Sequence, residues 1–520
     1  MKTLNQSKPA RIQRTGRLTW LPITITTLIA FSMSVMAAPA KQSFNDGTIT
    51  SAVKSDLHFE MTVFPNNLDV STSQGIVTLS GSVNDILDKR RAIKIAESVR
   101  GVLGVIDRII VTPESRPNDD IRKDILTALL NDPATESYQV SASVKDAVVT
   151  LTGTVGSKAE SQLAQQVAES VKGVKDIHND LVINYAGKRT DGEITADIQA
   201  VLHWDIWVTG YPIQIVVKDG QVTLTGTVGS VTEKSRVNSD AWVNGVLAVN
   251  DNGLKVEPTA RDQLRRRNIN AGRTDDEIKS ALLASLRADP RVARYTRDIN
   301  LTVENGVAIL DGAVGDLKAK SAAGLDARNI VGVSWTENEL SVRPTVNLPS
   351  DVDTQKGLNA VLRWDPLLEG ARIEVAVFSH VAYLNGSVDS FEQKAEAQDD
   401  AARTKGVVEV LNHLKIEREP NLFWYNQPYY DLEAFGPPLD FNTIGSPPPK
   451  SDARIKKDIE HAFFWSPFVH RNDITVTVRY GVAKLTGTVG TWIGYAEADQ
   501  DAREGGALEV INRLKVHGVE

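Results

Sequence analysis

The sequence predicts an α+β protein: a tandem array of six small α-β-β-α-β units, each a three-stranded sheet with two helices. Three observations predict it. A strand motif ending in glycine occurs six times in one phase, a pair of small residues follows each at helical spacing, and a second glycine closes each unit's second helix. The composition is globular, with 41% hydrophobic and 24% charged residues in a chain of 520, which argues against wholesale disorder.

The unit opens with a helix. Thr190-x-x-Glu193 and Thr274-x-x-Glu277 are capping boxes, and Ile278, Leu282 and Leu286, like Ile455, Ile459 and Phe463, form an apolar stripe. A hairpin follows, because Asp219-Gly220 and Asn305-Gly306 lie between alternating runs and tolerate the positive φ of a tight turn. The hairpin's second strand is the marker, as in Val149-Thr150-Leu151-Thr152-Gly153-Thr154-Val155. Its glycines are Gly81, Gly153, Gly226, Gly312, Gly386 and Gly487, always on the face of period 2 that reads as buried. A missing side chain there lets a backbone or helix approach closely, so these six are expected to be structural.

A second helix comes next, capped at Ser157-x-x-Glu160 and Ser230-x-x-Glu233. Eleven and fifteen positions past each marker glycine lies a small pair, such as Ala92 and Ala96 or Ala397 and Ala401, on one helical face. Nineteen or twenty positions past the marker, Gly101, Gly173, Gly245, Gly332, Gly406 and Gly506 read as C-terminal caps. A last strand ends the unit, as in Val410 to Ile416. The expected boundaries are 46–113, 118–185, 189–258, 273–344, 350–418 and 451–520. A core of this size is marginal alone, so the units are expected to pack on one another or be covered fully by their helices.

Before the first unit, residues 1–40 read as a targeting segment. Lys2, Lys8, Arg11, Arg14 and Arg17 precede an uncharged stretch, 18–40, with small-residue exits at Ala37 and Ala40. A cleaved secretory signal is preferred, because the strongly apolar part is short of the ~20 residues of a spanning helix. The alternative is an inner-membrane anchor through 18–40. Losing the five basic residues takes the formal charge from -8 to -13. The acidic balance argues against a nucleic-acid partner. The chain has no cysteine, which excludes disulfides and thiolate chemistry.

The marker glycines, the second glycines and endings such as Gly406-Val407-Val408-Glu409-Val410-Leu411-Asn412-His413-Leu414 resemble the BON domain of bacterial envelope proteins. The first copy departs most, ending Gly101-Val102-Leu103-Gly104-Val105-Ile106-Asp107 without the asparagine. The resemblance implies periplasmic residence, a non-catalytic role, association with phospholipid surfaces or held partner proteins, and osmotic or envelope stress. It carries over no catalytic motif.

The residues themselves offer little chemistry. None of the eight histidines has a close metal-ligand spacing, and no nucleophile elbow, P-loop or dinucleotide fingerprint occurs. No catalytic, cofactor-binding or metal-ligating residues are therefore expected, and no small-molecule substrate. Contact candidates for lipid or a partner are Arg265, Arg266 and Arg267, in a basic cluster between units three and four. Trp424 and Tyr425 are further candidates, in the Pro- and aromatic-rich connector 419–450. Trp204, Trp364 and Trp465, each 22 positions before its marker glycine, either are exposed anchors or pack the helix end onto the sheet or the next unit, the latter being preferred. The expected function is a non-enzymatic envelope protein with a multivalent binding or scaffold role at the phospholipid surface or with envelope proteins. The alternative is a holding chaperone for exported proteins.

Overall fold

The computed structural model describes residues 44–60, 68–132, 134–135, 139–185, 187–260, 272–343, 348–368, 370–388, 391–416, 451–466, 469, 473–479, 481–490, 492–507 and 509–516. The α+β class and the six-unit organisation are as expected from the sequence. Unit one shows the plan: helix Asp46–Glu60, hairpin Leu68–Ser73 and Ile76–Val83, helix Ile86–Ser98, strand Gly104–Val111. The marker strand is central, antiparallel to the first strand and parallel to the last. A parallel neighbour needs a crossover, and the second helix supplies it. In units four and five the last strand is split, into Trp335–Asn338 with Ser341–Val342 and Glu409–Asn412 with Lys415–Ile416.

Each sheet buries one face under its two helices. In unit two, Val149, Leu151 and Val155 of the marker strand meet Ile121, Ile125 and Leu129 of the first helix and Ala164 and Ala168 of the second. The small pairs are buried in all six units, which lets the second helix lie close to the sheet. All six marker glycines have φ between 111° and 141°. In units two to six their close neighbour is the backbone at the start of the first strand or just before it. A Cβ on Gly153 would fall 1.9 Å from the carbonyl oxygen of Gln139, and one on Gly487 2.1 Å from that of Asp473.

Two polar devices recur. The first residue of the opening helix ties down the hairpin turn: Asp191 accepts from the amides of Asp219 and Gly220, and Asp351 from those of Ser379 and His380. In units two and five this helps hold the non-glycine residues Ala147 and His380 at positive φ, with Asn118 serving for the aspartate in unit two. The second device is the last-strand asparagine. Asn179, Asn338, Asn412 and Asn512 each donate to a carbonyl of the second helix and accept from the amide two residues on. Asp107, in unit one, keeps only the second bond and adds an ion pair to Lys89.

Two local expectations need correction. The second glycines are not the residues that stop the helices. The second helices end at Ser98, Glu169, Asp240, Arg328, Arg403 and Glu504, two to five residues earlier. These glycines instead turn the chain, at φ 94° to 101°, where it passes the first helix: a Cβ on Gly332 would meet Ile278 at 2.7 Å. The capping boxes of the first helices at Thr190 and Thr274 are complete. At Ser157 and Ser230 the serine caps as expected, but the glutamate reaches one residue further back, to the amides of Gly156 and Gly229.

Candidate functional site: the joints between units

Units pack on one another both in and out of chain order. Three backbone bonds tie helix ends of one unit to the turn before the second glycine of another. Val331 donates to the Trp204 carbonyl, Lys172 to that of Trp364 and Arg100 to that of Trp465. Unit three thus docks on four, five on two and six on one. The tryptophans expected either to anchor a ligand or to pack are joint residues. Trp465 is 7% exposed within the core of unit one, and Trp204 packs on the core of unit four with Arg273 stacked over it. Side contacts add to these. Ile86 of unit one enters the core of unit two, Arg90 pairs with Glu169, and Trp492 of unit six packs at a tilt against Trp335 of unit four and donates to the Ser334 carbonyl.

The joints also hold a repeated set of carboxylates that the sequence reading did not single out. Asp132, Asp205, Asp289 and Asp365 follow the first helices of units two to five, and each accepts through Oδ1 from the amide two residues on. A second aspartate lies 14 positions past the marker glycine, between the two small residues: Asp240, Asp326, Asp400 and Asp501 in units three to six. Units one and two have Ile95 and Val167 there. The recurring offset was legible. An aspartate within a helical repeat reads first as a solvated residue, however, and only packing shows these turned inward.

Between units three and four, Arg236 binds Asp205 at 2.6 Å and Asp240 at 3.3 Å, while Arg291 forks onto Asp289. Asp326 lies opposite both arginines. Burial, then the Asp289 charge, pushes its carboxyl up to about 8. Burial and neighbouring Asp205 likewise raise Asp240.

In unit five, Asp365, Glu396 and Asp400 come within 4.8 Å of one another, the closest approach to a metal-ligand set among the described residues. The Arg403 guanidinium lies among them, bound to Asp400 and 3.6–3.7 Å from Glu396 and Asp365, so the cation of this cluster is an arginine. Burial raises Asp365, and it brings Asp400 to about 6 even though Arg403 works the other way. A recess of about 20 Å³ between units two and five, lined by Asn131, Asp132, Trp364 and Arg403, has room for a water and not for a substrate.

Arg265, Arg266, Arg267, Trp424 and Tyr425 lie outside the described residues, as do the leader and the connector. Asp351 and Asp353, at the acidic start of unit five's first helix, serve the hairpin turn and the Ser350 cap. Exposed apolar side chains include Leu103 in unit one and Leu247 in unit three, at 68% exposure, whose amides bond to the hairpin turns at Gly75 and Gly220, and Phe378, at 70%, which ends the first strand of unit five's hairpin. No helix among the described residues is long and apolar enough to cross a membrane.

These features define a tandem α+β repeat protein in which one docking geometry recurs between units. The BON domain pattern matches residues 45–113, 117–185, 190–258, 274–344, 350–418 and 451–518, and the chain belongs to the BON domain family. It is similar to osmotically-inducible protein Y of Escherichia coli (strain K12), with 34% identity over 144 residues, covering 26% of this chain and 72% of that protein. Among solved structures, a CdsD structure, from a structural protein of the type III secretion system of Chlamydia trachomatis, is 14% identical. It covers 38% of this chain and 90% of its own, with a TM-score of 0.11. The PrgH periplasmic domain is 9% identical over 40% and 96%, with a TM-score of 0.12. At such scores neither structure carries any argument here.

Proposed function

We propose that this is a non-enzymatic protein of the bacterial periplasm that binds phospholipid surfaces through several weak contacts on one body, in osmotic or envelope stress. The osmotically inducible relative supports the setting. The observation that carries the binding role is the division of labour among apolar residues. The joint tryptophans and small pairs are turned inward, whereas Leu103 and Leu247, bonded to the hairpin turns of units one and three, and Phe378, at the end of the first strand of unit five's hairpin, are left exposed. Fully burying such a side chain contributes roughly 1.5–3 kcal/mol, so one site binds weakly and several gain by avidity. Arg265, Arg266 and Arg267 would add about 1 kcal/mol each at an anionic surface, against the repulsion of an acidic chain.

The test is co-sedimentation of the full chain with zwitterionic and anionic vesicles across a salt series. Wild type is compared with Leu247→Ser/Phe378→Ser and with the triple Arg→Gln variant at 265–267. The double variant is expected to lose binding to both vesicle types, and the triple variant only the salt-sensitive part on anionic vesicles. Vesicle binding unchanged in both variants removes these contacts. Suppression of aggregation of unfolded protein without any vesicle binding moves the reading to a holding chaperone.

A further inference from the structure

We propose that the packing of unit three on unit four is proton-coupled: the joint closes with protons held by its carboxylates and loosens as they are lost. The groups that face one another there come from five elements. The end of unit three's first helix brings Asp205, and its second helix brings Arg236 and Asp240. The end of unit four's first helix brings Asp289 and Arg291, and its second helix brings Asp326. The turn after unit two's first helix adds Asp132, whose charge reaches Arg291.

Four carboxylates thus share two guanidiniums, before Asp132 is considered. Arg236 bonds Asp205 and Asp240, and Arg291 bonds Asp289, which leaves Oδ2 of Asp240 and Oδ2 of Asp326 out of solvent and without a hydrogen-bond donor. Full ionisation would hold uncompensated negative charge at a buried interface, which is strongly unfavourable. Packing does not demand the carboxylates: Ile95 and Val167 fill the position of Asp240 and Asp326 in units one and two. Mechanically, the cluster adjoins the joint's backbone bonds, from Ile206 to Asn329 and from Val331 to Trp204, and Asn329 is three residues past Asp326.

The direction follows from linkage. Asp326 ordinarily titrates at 3.8 and here near 8, raised by burial and by Asp289 of its own unit against the pull of Arg236 across the joint. On this proposal the burial that unit three adds outweighs that pull, so the closed joint keeps a proton that the separated one releases. Its contribution is complete below the ordinary value, falls as pH rises from about 4 to about 8, and is flat beyond. The raised Asp240 acts in the same sense.

The test is hydrogen exchange of the full chain, read as protection of the Val331 amide against that of Arg100, which makes the equivalent bond to Trp465. In wild type, Val331 protection is expected to fall relative to Arg100 between about pH 5 and about pH 8.5. In Asp326→Asn, and independently in Asp326→Val, that fall is expected to shrink by roughly half or more. Equal pH dependence at the two amides in wild type overturns the proposal whether or not the variants fold well. So does a fall unchanged in both variants.

Discussion

The joint of unit six on unit one and the joint of unit three on unit four use the same backbone bond and opposite side-chain chemistry. At the first, Trp465 is buried beside Phe464 and Phe44, and Arg100 stacks on the Phe44 ring. At the second, Trp204 is only half buried and the centre is the carboxylate–guanidinium cluster around Arg236. A single docking geometry thus admits either an apolar or an ionic filling. The apolar one draws its strength from buried area, with His461, which accepts from Trp465 Nε1, as the titrating group beside it. The ionic one depends on which groups carry protons.

Breaking the apolar side should cost most. Trp465→Ala is expected to destabilise the packed body by about 3–5 kcal/mol in denaturant titration, and Trp204→Ala by clearly less, because less of that ring is buried. Equal losses would mean the two joints do not differ in the way described. Next, Gly487→Val and Gly226→Val should each cost a few kcal/mol, on the order of 2–4, through positive φ and collision with the first strand. These two costs should be similar, since a Cβ would lie 2.1 Å from the Asp473 oxygen and 2.3 Å from the Pro212 oxygen. Thermal melts of the two variants check this. A smaller effect separates the last strands. Asn512→Ala removes a bond to the Tyr495 carbonyl and should cost about 1–3 kcal/mol. Asn250 of unit three, beside an irregularity in the pairing at Thr223 and Thr225, accepts only from its own strand at Asn252, and Asn250→Ala should cost less.

Much of the unit was legible because its signals are local. Marker-strand phase, positive-φ turns such as Asp219-Gly220, and the small pairs all act within a few residues or one helical turn. The second glycines were misplaced because a glycine after a helix has two uses, and the contact with Ile278 that selects one comes from another element. The joints were the least legible. Trp204, Trp364 and Trp465 repeat at one offset, but which unit each meets depends on how all six assemble, and no local pattern encodes the pairing of three with four, five with two and six with one. The inward carboxylates were missed for the same reason, since the groups around Asp326 include Arg236 of another unit, which no local pattern places there.

The pairing of the first unit with the last has a consequence for how such a chain comes into being. Arg100 and Trp465 are 365 positions apart, and the bond between them closes well over half of the chain into a loop. The entropy of that closure grows only slowly with length, so the finished protein tolerates it. The order of events does not. A chain emerging from its N-terminus makes unit one long before unit six exists, and until then the surface that will receive Trp465, beside Phe44, faces solvent. Assembly is therefore a late, non-local step, slow and open to capture by other molecules. A chain truncated after unit five would retain all that local folding provides and still present that unfilled surface.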